Sequence, residues 1–576
     1  MLKVENLSFS FPQRGLYDKI TFTIEAGQHC ALIGTSGSGK STLTDLLMNP
    51  EKYMFDGKLV VSPDWKISLI SQFIQLEKTN DLTVFEYIAE AFTRQENELA
   101  SICTAMETAG DVDLLLEKYQ QSLDAFQAID GDNYENNIRK KLSLANLSRQ
   151  ENQKTSDLSG GEFKLVQVIK ALLNHPDLII MDEPDVFLDF ENLTALKDLI
   201  NSHQGSLLVI THNRYLLHHC FNKIIHLENM ELQAFDGNYF EYNLSLSQRK
   251  IELQELAVAY TDEIDRNEAL SEKLRSIATN NTDSSRGRAL KARVKYLERL
   301  EARRIAAPFV DLKEPEISLV TDHEIEDSIV LRVKDYGVAY ADELLKNVSF
   351  EMKSTDKVAL IGSNGTGKTT LLREIYKNDH DAIEIDENVE VAYLSQLQGE
   401  MLNEANTISD EFFEAGFKTT DAIRAYLSGY GINQDFIDQK IETLSGGEKN
   451  ILQLAKISAG QAALLLLDEP TSHLDTWSQA ALEKAIKTYH GAVLMISHDF
   501  YSIVNCMDYV LIIEDKLIRR MSMRKFRKMI YKSHFDQGYL ELEQKKKAIE
   551  AKIAQALKDT DFARARIYSE ELEMLA

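Results

Sequence analysis

This 576-residue sequence is short of positive charge: 64 Lys and Arg stand against 91 Asp and Glu, a formal net charge of −27. A chain with that balance is not expected to hold nucleic acid through its overall field. Cysteine is scarce too. Cys30, Cys103, Cys220 and Cys506 lie far apart with no CxxC pair, which argues against a disulfide framework or a zinc site and fits a reducing compartment. Long apolar runs are missing. The longest, around Leu464–Leu467, falls well short of the roughly 18–20 residues that span a bilayer. The opening MLKVENLSFSF reads directly as a strand, without the regions of a secretory leader. A cytoplasmic protein with no membrane association is the expectation. The length predicts two or more domains.

What is present is a repeat. GTSGSGKST at Gly34–Thr42 returns as GSNGTGKTT at Gly362–Thr370, and LSGGE at Leu158–Glu162 returns at Leu444–Glu448. MDEP at Met181–Pro184 is matched by LDEP at Leu467–Pro470, and THN at Thr211–Asn213 by SHD at Ser497–Asp499. The offset between copies is 328 residues at the glycine-rich loops, 324 at the glutamines Gln72 and Gln396, and 286 from LSGGE onward. The first copy therefore carries 38 extra residues between Gln72 and Leu158. The Leu/Glu/Ala/Gln-rich, proline-free stretch 84–126 reads as a helical insert there.

GxxxxGK[ST] after an apolar strand and before a helix is a phosphate-binding loop. Gly34, Gly37, Gly39, Gly362, Gly365 and Gly367 let backbone N–H groups, including those of Asn364, Thr42 and Thr370, close around phosphate oxygens. Lys40 and Lys368 are placed for the β- and γ-phosphates, and Ser41 and Thr369 for Mg²⁺. Asp182 and Asp468 end apolar strands and suit the magnesium shell, while Glu183 and Glu469 beside them suit polarisation of an attacking water. His212 and His498 also follow apolar strands, at the edge where open α/β sheets bind ligands.

The order P-loop, SQ, LSGGE, DEP and His, met twice, resembles the ATP-binding cassettes. The resemblance covers both copies and implies that ATP is held between the P-loop of one cassette and the LSGGE of the other. One site then combines Lys40, Ser41, Gln72, Asp182, Glu183 and His212 with Ser445, Gly446 and Gly447. The other combines Lys368, Thr369, Gln396, Asp468, Glu469 and His498 with Ser159, Gly160 and Gly161. Gln72 and Gln396 join the magnesium ligands on the same grounds. The aromatic residue stacked on adenine is expected at Phe11 and Tyr340, with Phe9 and Tyr336 as rivals. The match departs in places: the usual EPTNHLD reads EPDVFLD at Glu183–Asp189 and EPTSHLD at Glu469–Asp475, and the Arg expected after LSGGE is Leu165 and Ile451.

The fold class expected is α/β, with two cassettes at 1–243 and 328–535, a helical-hairpin linker at 244–327 and a helical hairpin at 536–576. This arrangement resembles the ABC-F proteins, cytosolic ATPases that act on the ribosome. The resemblance implies ribosomal RNA and exit-site tRNA as partners, and a monomer whose cassettes pair within the chain. It implies a role in relieving stalled translation or protecting ribosomes from antibiotics. The alternative is the ATPase component of a membrane transporter.

The charge pattern agrees with an RNA partner. Arg286, Arg288, Lys291, Arg293, Lys295, Arg299 and Arg303 lie in a stretch, 286–304, of net charge +6, most of them at helical spacing. Lys516–Lys532 holds eight basic residues and no acid. Such stripes are the footprint of phosphate-backbone contact.

Overall fold

The apolar runs before each glycine-rich loop, Asp-Glu pair and histidine fold as short, almost fully buried strands. They are His29–Ile33, Leu178–Asp182 and Ser206–Ile210 in the first copy, and Lys357–Ile361, Leu464–Asp468 and Ala492–Ile496 in the second. Unbroken Leu, Ile and Val suit a parallel sheet covered on both faces. The computed structural model describes residues 1–11, 14–62, 65–71, 82–108, 113–186, 188–256, 258, 315–321, 328–339, 343–396, 399, 401–432, 436–534 and 539–575.

Each copy builds one six-stranded sheet. The first runs Ile67–Ile70, Leu178–Asp182, Ser206–Ile210, His29–Ile33, Lys223–Glu228, Glu231–Asp236, parallel except for the final pair. The second repeats it with Val391–Leu394, Leu464–Asp468, Ala492–Ile496, Lys357–Ile361, Tyr509–Glu514 and Leu517–Ser522. A three-stranded antiparallel sheet accompanies each: Leu2–Phe11 between Arg14–Ile24 and Asp56–Val61, and Ile329–Ala339 between Glu343–Lys353 and Ile383–Ile385. In the first copy Leu2, Val4 and Phe22 from the small sheet share one core with Leu32, Leu178 and Leu208 from the large one. Leu43, Leu46 and Leu47 of helix Lys40–Met48 complete that core. The helix that starts inside the P-loop is thereby clamped between the sheets, which fixes the loop.

The first copy also carries helices Val84–Thr108 and Asp113–Ala128, packed on each other. The chain divides into two compact units. One, Met1–Asp236 with Glu314–His534, holds both cassettes. The other is Gly237–Lys313 with Phe535–Ala576. In this second unit residues 239–256 are helical, and Leu244 and Ile251 pack with Ile549, Ile553, Ala565 and Leu572 of helices Tyr539–Lys558 and Phe562–Glu573. Arg566 ion-pairs with Glu255. The basic stripe from Arg286 to Arg303 lies outside the described residues. Among the described residues no helix is long and apolar enough to cross a membrane.

Candidate nucleotide sites

Strand order alone assembles each site. Leu178–Asp182, Ser206–Ile210 and His29–Ile33 are consecutive parallel neighbours. Their carboxyl ends therefore bring Asp182 and Glu183, His212 and the P-loop to one edge of the sheet, and the second copy does the same for Asp468, Glu469, His498 and its own P-loop. Lys40 is buried and donates to the carbonyls of Gly34 and Thr35 at 3.0 and 2.9 Å. Lys368 makes the matching bonds to Gly362 and Ser363, both at 2.8 Å. Each ammonium is thus held inside its loop by carbonyls, with carboxylates such as Glu183 and Glu469 acting on it through their charge, a position suited to an incoming anion. Gly39 and Gly367 cap the following helices at φ 100° and 91°, a left-handed turn that a Cβ would strain.

The Ser41 hydroxyl lies beside Asp182, and that of Thr369 beside Asp468. Asp182 Oδ1 and both carboxylate oxygens of Asp468 are buried and accept no hydrogen bond among the described residues. One hydroxyl and one under-used carboxylate per site fit magnesium, which keeps its other positions for phosphate and water. Among the described residues no group of three or more His, Cys, Asp or Glu could hold a metal ion. Burial and the neighbouring Glu183 push Asp182 up to about 6.

Glu183 and Glu469 share an unusual backbone, with φ of 46° and 50°. Their N–H groups donate to Ile210 and Ile496 at the ends of the adjacent strands, both at 2.9 Å. A left-handed non-glycine residue repeated in both copies is strain retained at a working position. The surroundings of the two carboxylates differ. Burial and Asp468 push Glu469 up to about 8, against the His498 N–H that donates to it at 3.2 Å. Burial opposes ionisation of Glu183 too, but the hydrogen bond and charge of His473 outweigh it and hold Glu183 below the usual carboxylate range. Burial lowers His212 to about 4 and His498 to about 3, so both imidazoles are neutral near pH 7 and suited to hydrogen bonding rather than to carrying charge.

The two LSGGE segments start helices. Ser159 and Ser445 cap Gly160–Leu173 and Gly446–Ala459, each closed by a reciprocal bond with Glu162 or Glu448. Across the cassette boundary, Gly447 presses on the first P-loop: a Cβ there would fall 2.3 Å from Ser36 Oγ, and one on Gly37 would fall 2.6 Å from Glu448 Oε1. The equivalent Gly365 would meet nothing within 4 Å. There a cavity of ≈ 540 Å³ opens, lined by Lys368, Thr369, Gln396 and Glu469 from one cassette and Ser159 and Gly161 from the other. The Ser36 and Asn364 N–H groups donate, each at 3.2 Å, to Asp475 and Asp189 of the opposite cassette.

Gln72 and Tyr340 lie outside the described residues. Phe11 is 46% exposed, whereas its rival Phe9 is buried against Tyr17 and Tyr53, and Tyr336 is buried as well. Of the three described candidates, Phe11 alone is exposed enough to offer a face to a base. Phe11→Ala is expected to weaken nucleotide binding by about 5-fold or more, the loss of one base–aromatic stack. Titration with a fluorescent ATP analogue checks it.

Asp189, Asp475, His473 and Arg214 were not singled out from the sequence, although each binds across the boundary. The available signal was the mismatch between otherwise repeated motifs. EPDVFLD against EPTSHLD contains His473, and THN against SHD precedes Arg214. The same mismatch places Asp185, pushed up to about 6 by burial, within 2.7 Å of the Thr211 hydroxyl.

Two P-loop sheets with complementary LSGGE helices define a tandem-cassette ATPase. The family model described as ABC transporter matches residues 17–186 and 345–472, more than half of the chain. The Bacillus subtilis ABC transporter ATP-binding protein YfmM is 29% identical over 520 residues, covering 87% of this chain and 96% of its own length. ABC transporter F family member 5 of Arabidopsis thaliana is 28% identical, covering 89% and 75%. The Escherichia coli ATP-binding protein Uup is 29% identical, covering 87% and 78%. Among solved structures, the archaeal ribosome recycling factor aABCE1, in complex with the ribosomal stalk protein aP1, aligns with a TM-score of 0.56 at 17% identity, covering 92% of both chains. The chain belongs to the ABC transporter family, as a tandem-cassette ATPase of the ABC-F type.

Proposed function

We propose that this protein is an ATP-dependent ribosome-binding factor of the cytoplasm. ATP and Mg²⁺ close the two cassettes on each other, the closed form binds the exit-site region, and hydrolysis releases it. The observation that supports this most is the interlock of both cassettes within one chain: the Ser36 and Asn364 N–H groups of the P-loops each reach an Asp of the opposite cassette. A monomer can therefore open and close without a membrane partner. The ABC-F resemblance supplies the ribosome, with ribosomal RNA and tRNA as the contacted molecules, and either relief of stalling or antibiotic protection as the outcome.

The charge distribution supports the same reading. Lys516 in the turn before strand Leu517–Ser522, Arg519 and Arg520 on it, and Arg524, Lys525 and Lys528 on helix Met523–His534 are exposed, while Phe526 and Ile530 anchor that helix in the core. The net acidity of the chain opposes RNA phosphate outside such strips, so binding is local and salt-sensitive. The linker residues Arg286, Arg288, Lys291, Arg293, Lys295, Arg299 and Arg303 are proposed as the second RNA contact. Co-sedimentation with ribosomes tests the function, using the doubly substituted Glu183→Gln, Glu469→Gln protein. Association that requires ATP and weakens with salt is expected. Fractionation with membranes, and no ATP-dependent ribosome binding, would favour a transporter subunit instead.

A further inference from the structure

The two water-polarising glutamates are held from different sides. Glu469 is held by its own cassette: the His498 N–H donates to Oε2 at 3.2 Å, and the ring Nε2 stands 3.5 Å from Oε1. Glu183 is held by the other cassette, with His473 Nδ1 2.8 Å from its Oε2. His473 and Glu183 are both largely buried, 17% and 13% exposed. His473 sits at φ 61°, in the left-handed region that few non-glycine residues adopt and that His enters more readily than most. Its loop is pinned on both sides. Asn450 donates to the carbonyls of Pro470 and Ser472 from within its own cassette, and Ser36 of the first P-loop donates to the His473 carbonyl at 3.3 Å. At the constant offset of 286 residues, the first copy carries Phe187, a side chain with no hydrogen-bonding atom.

We propose that His473 is a positioning residue for hydrolysis at the first site, delivered in trans by the second cassette. Hydrolysis there needs a water oxygen to bond to the γ-phosphorus as the bond to the β–γ bridging oxygen breaks, ADP leaving with that electron pair. The water proton passes towards the Glu183 carboxylate and on to the departing phosphate. His473 fixes the carboxylate that must face that water. The ring reaches Glu183 only when the loop is seated on the first P-loop, so turnover at this site reports cassette closure. In the sequence Phe187 takes the matching position for the second site, where Glu469 is met by His498 of its own cassette.

The test uses the full chain with Glu469→Gln, which leaves only the first site turning over. His473→Ala in that background is expected to lower kcat by about 10- to 100-fold, the scale of a misplaced catalytic group, with the KM for ATP changed less than about 2-fold. His473→Gln, whose amide can still donate to Glu183, is expected to regain a large part of kcat. Thermal unfolding of each variant reports whether the fold is kept. The proposal is overturned if kcat is unchanged in His473→Ala, if KM rises while kcat holds, or if folded His473→Gln is no better than folded His473→Ala.

Discussion

Replacing both glutamates at once, Glu183→Gln with Glu469→Gln, is expected to reduce phosphate release from ATP by at least about 100-fold, the lower range for loss of a positioned general base. Nucleotide binding should persist. The amide matches the carboxylate in shape and accepts the same left-handed backbone at φ 46° and 50°, so the strand ends and both P-loops stay in place. What disappears is the proton acceptor facing the water. Steady-state phosphate release together with binding of a fluorescent nucleotide separates the two effects. Turnover within a few-fold of the unsubstituted protein would remove these residues from the chemistry.

The largest effect on stability is expected from Arg214→Ala. The guanidinium leaves the first cassette and lies between Glu483 at 2.5 Å and Asp499 at 2.7 Å of the second, with Ser502 Oγ at 3.3 Å. All three charged side chains are largely buried, at 16%, 10% and 16% exposure. Removing one member of such a cluster strands the others, a loss of about 3–5 kcal/mol. Arg14 provides the comparison. It donates to the Gly37 carbonyl of its own cassette at 2.5 Å and crosses the boundary to stand 3.8 Å from Glu448. It is 39% exposed, and the screening of exposed pairs limits its ion pair to roughly 1 kcal/mol or less. Chemical denaturation of the two alanine variants should therefore rank Arg214 well above Arg14. Equal midpoints would show that the Arg214 cluster does not hold the cassettes together.

The sheet and the gathering of the P-loop, Asp-Glu and His residues at its carboxyl end were legible because each depends on a local string. A strand of Leu and Ile running into Gly-rich, Asp-Glu or His residues states both its fold and its place. LSGGE likewise contains its own capping box, Ser159 with Glu162 and Ser445 with Glu448. The contacts between cassettes were not legible. That Ser36 meets Asp475, or Glu183 meets His473, depends on which faces pair across a pseudo-symmetric boundary, and no periodicity within either segment encodes that. The choice between Phe9 and Phe11 was equally closed to pattern reading. Both fit the spacing, and only packing against Tyr17 and Tyr53 assigns Phe9 to the core. The positive strips were visible as composition, while the net charge of −27 pointed the other way. An average over the chain hid a separation of charge along it.

The Arg214 cluster has no mirror image. At the constant offset its members correspond to Phe500, Lys197 and Asn213. Two second cassettes set against each other would place Phe500 on the carboxylates of Glu483 and Asp499. Two first cassettes would place Arg214 on Lys197. Each half is thus a poor partner for its own kind and a good one for its sibling. Halves that a duplication once made interchangeable have become directional, and a crowded solution of these molecules has a chemical reason not to cross-pair like with like.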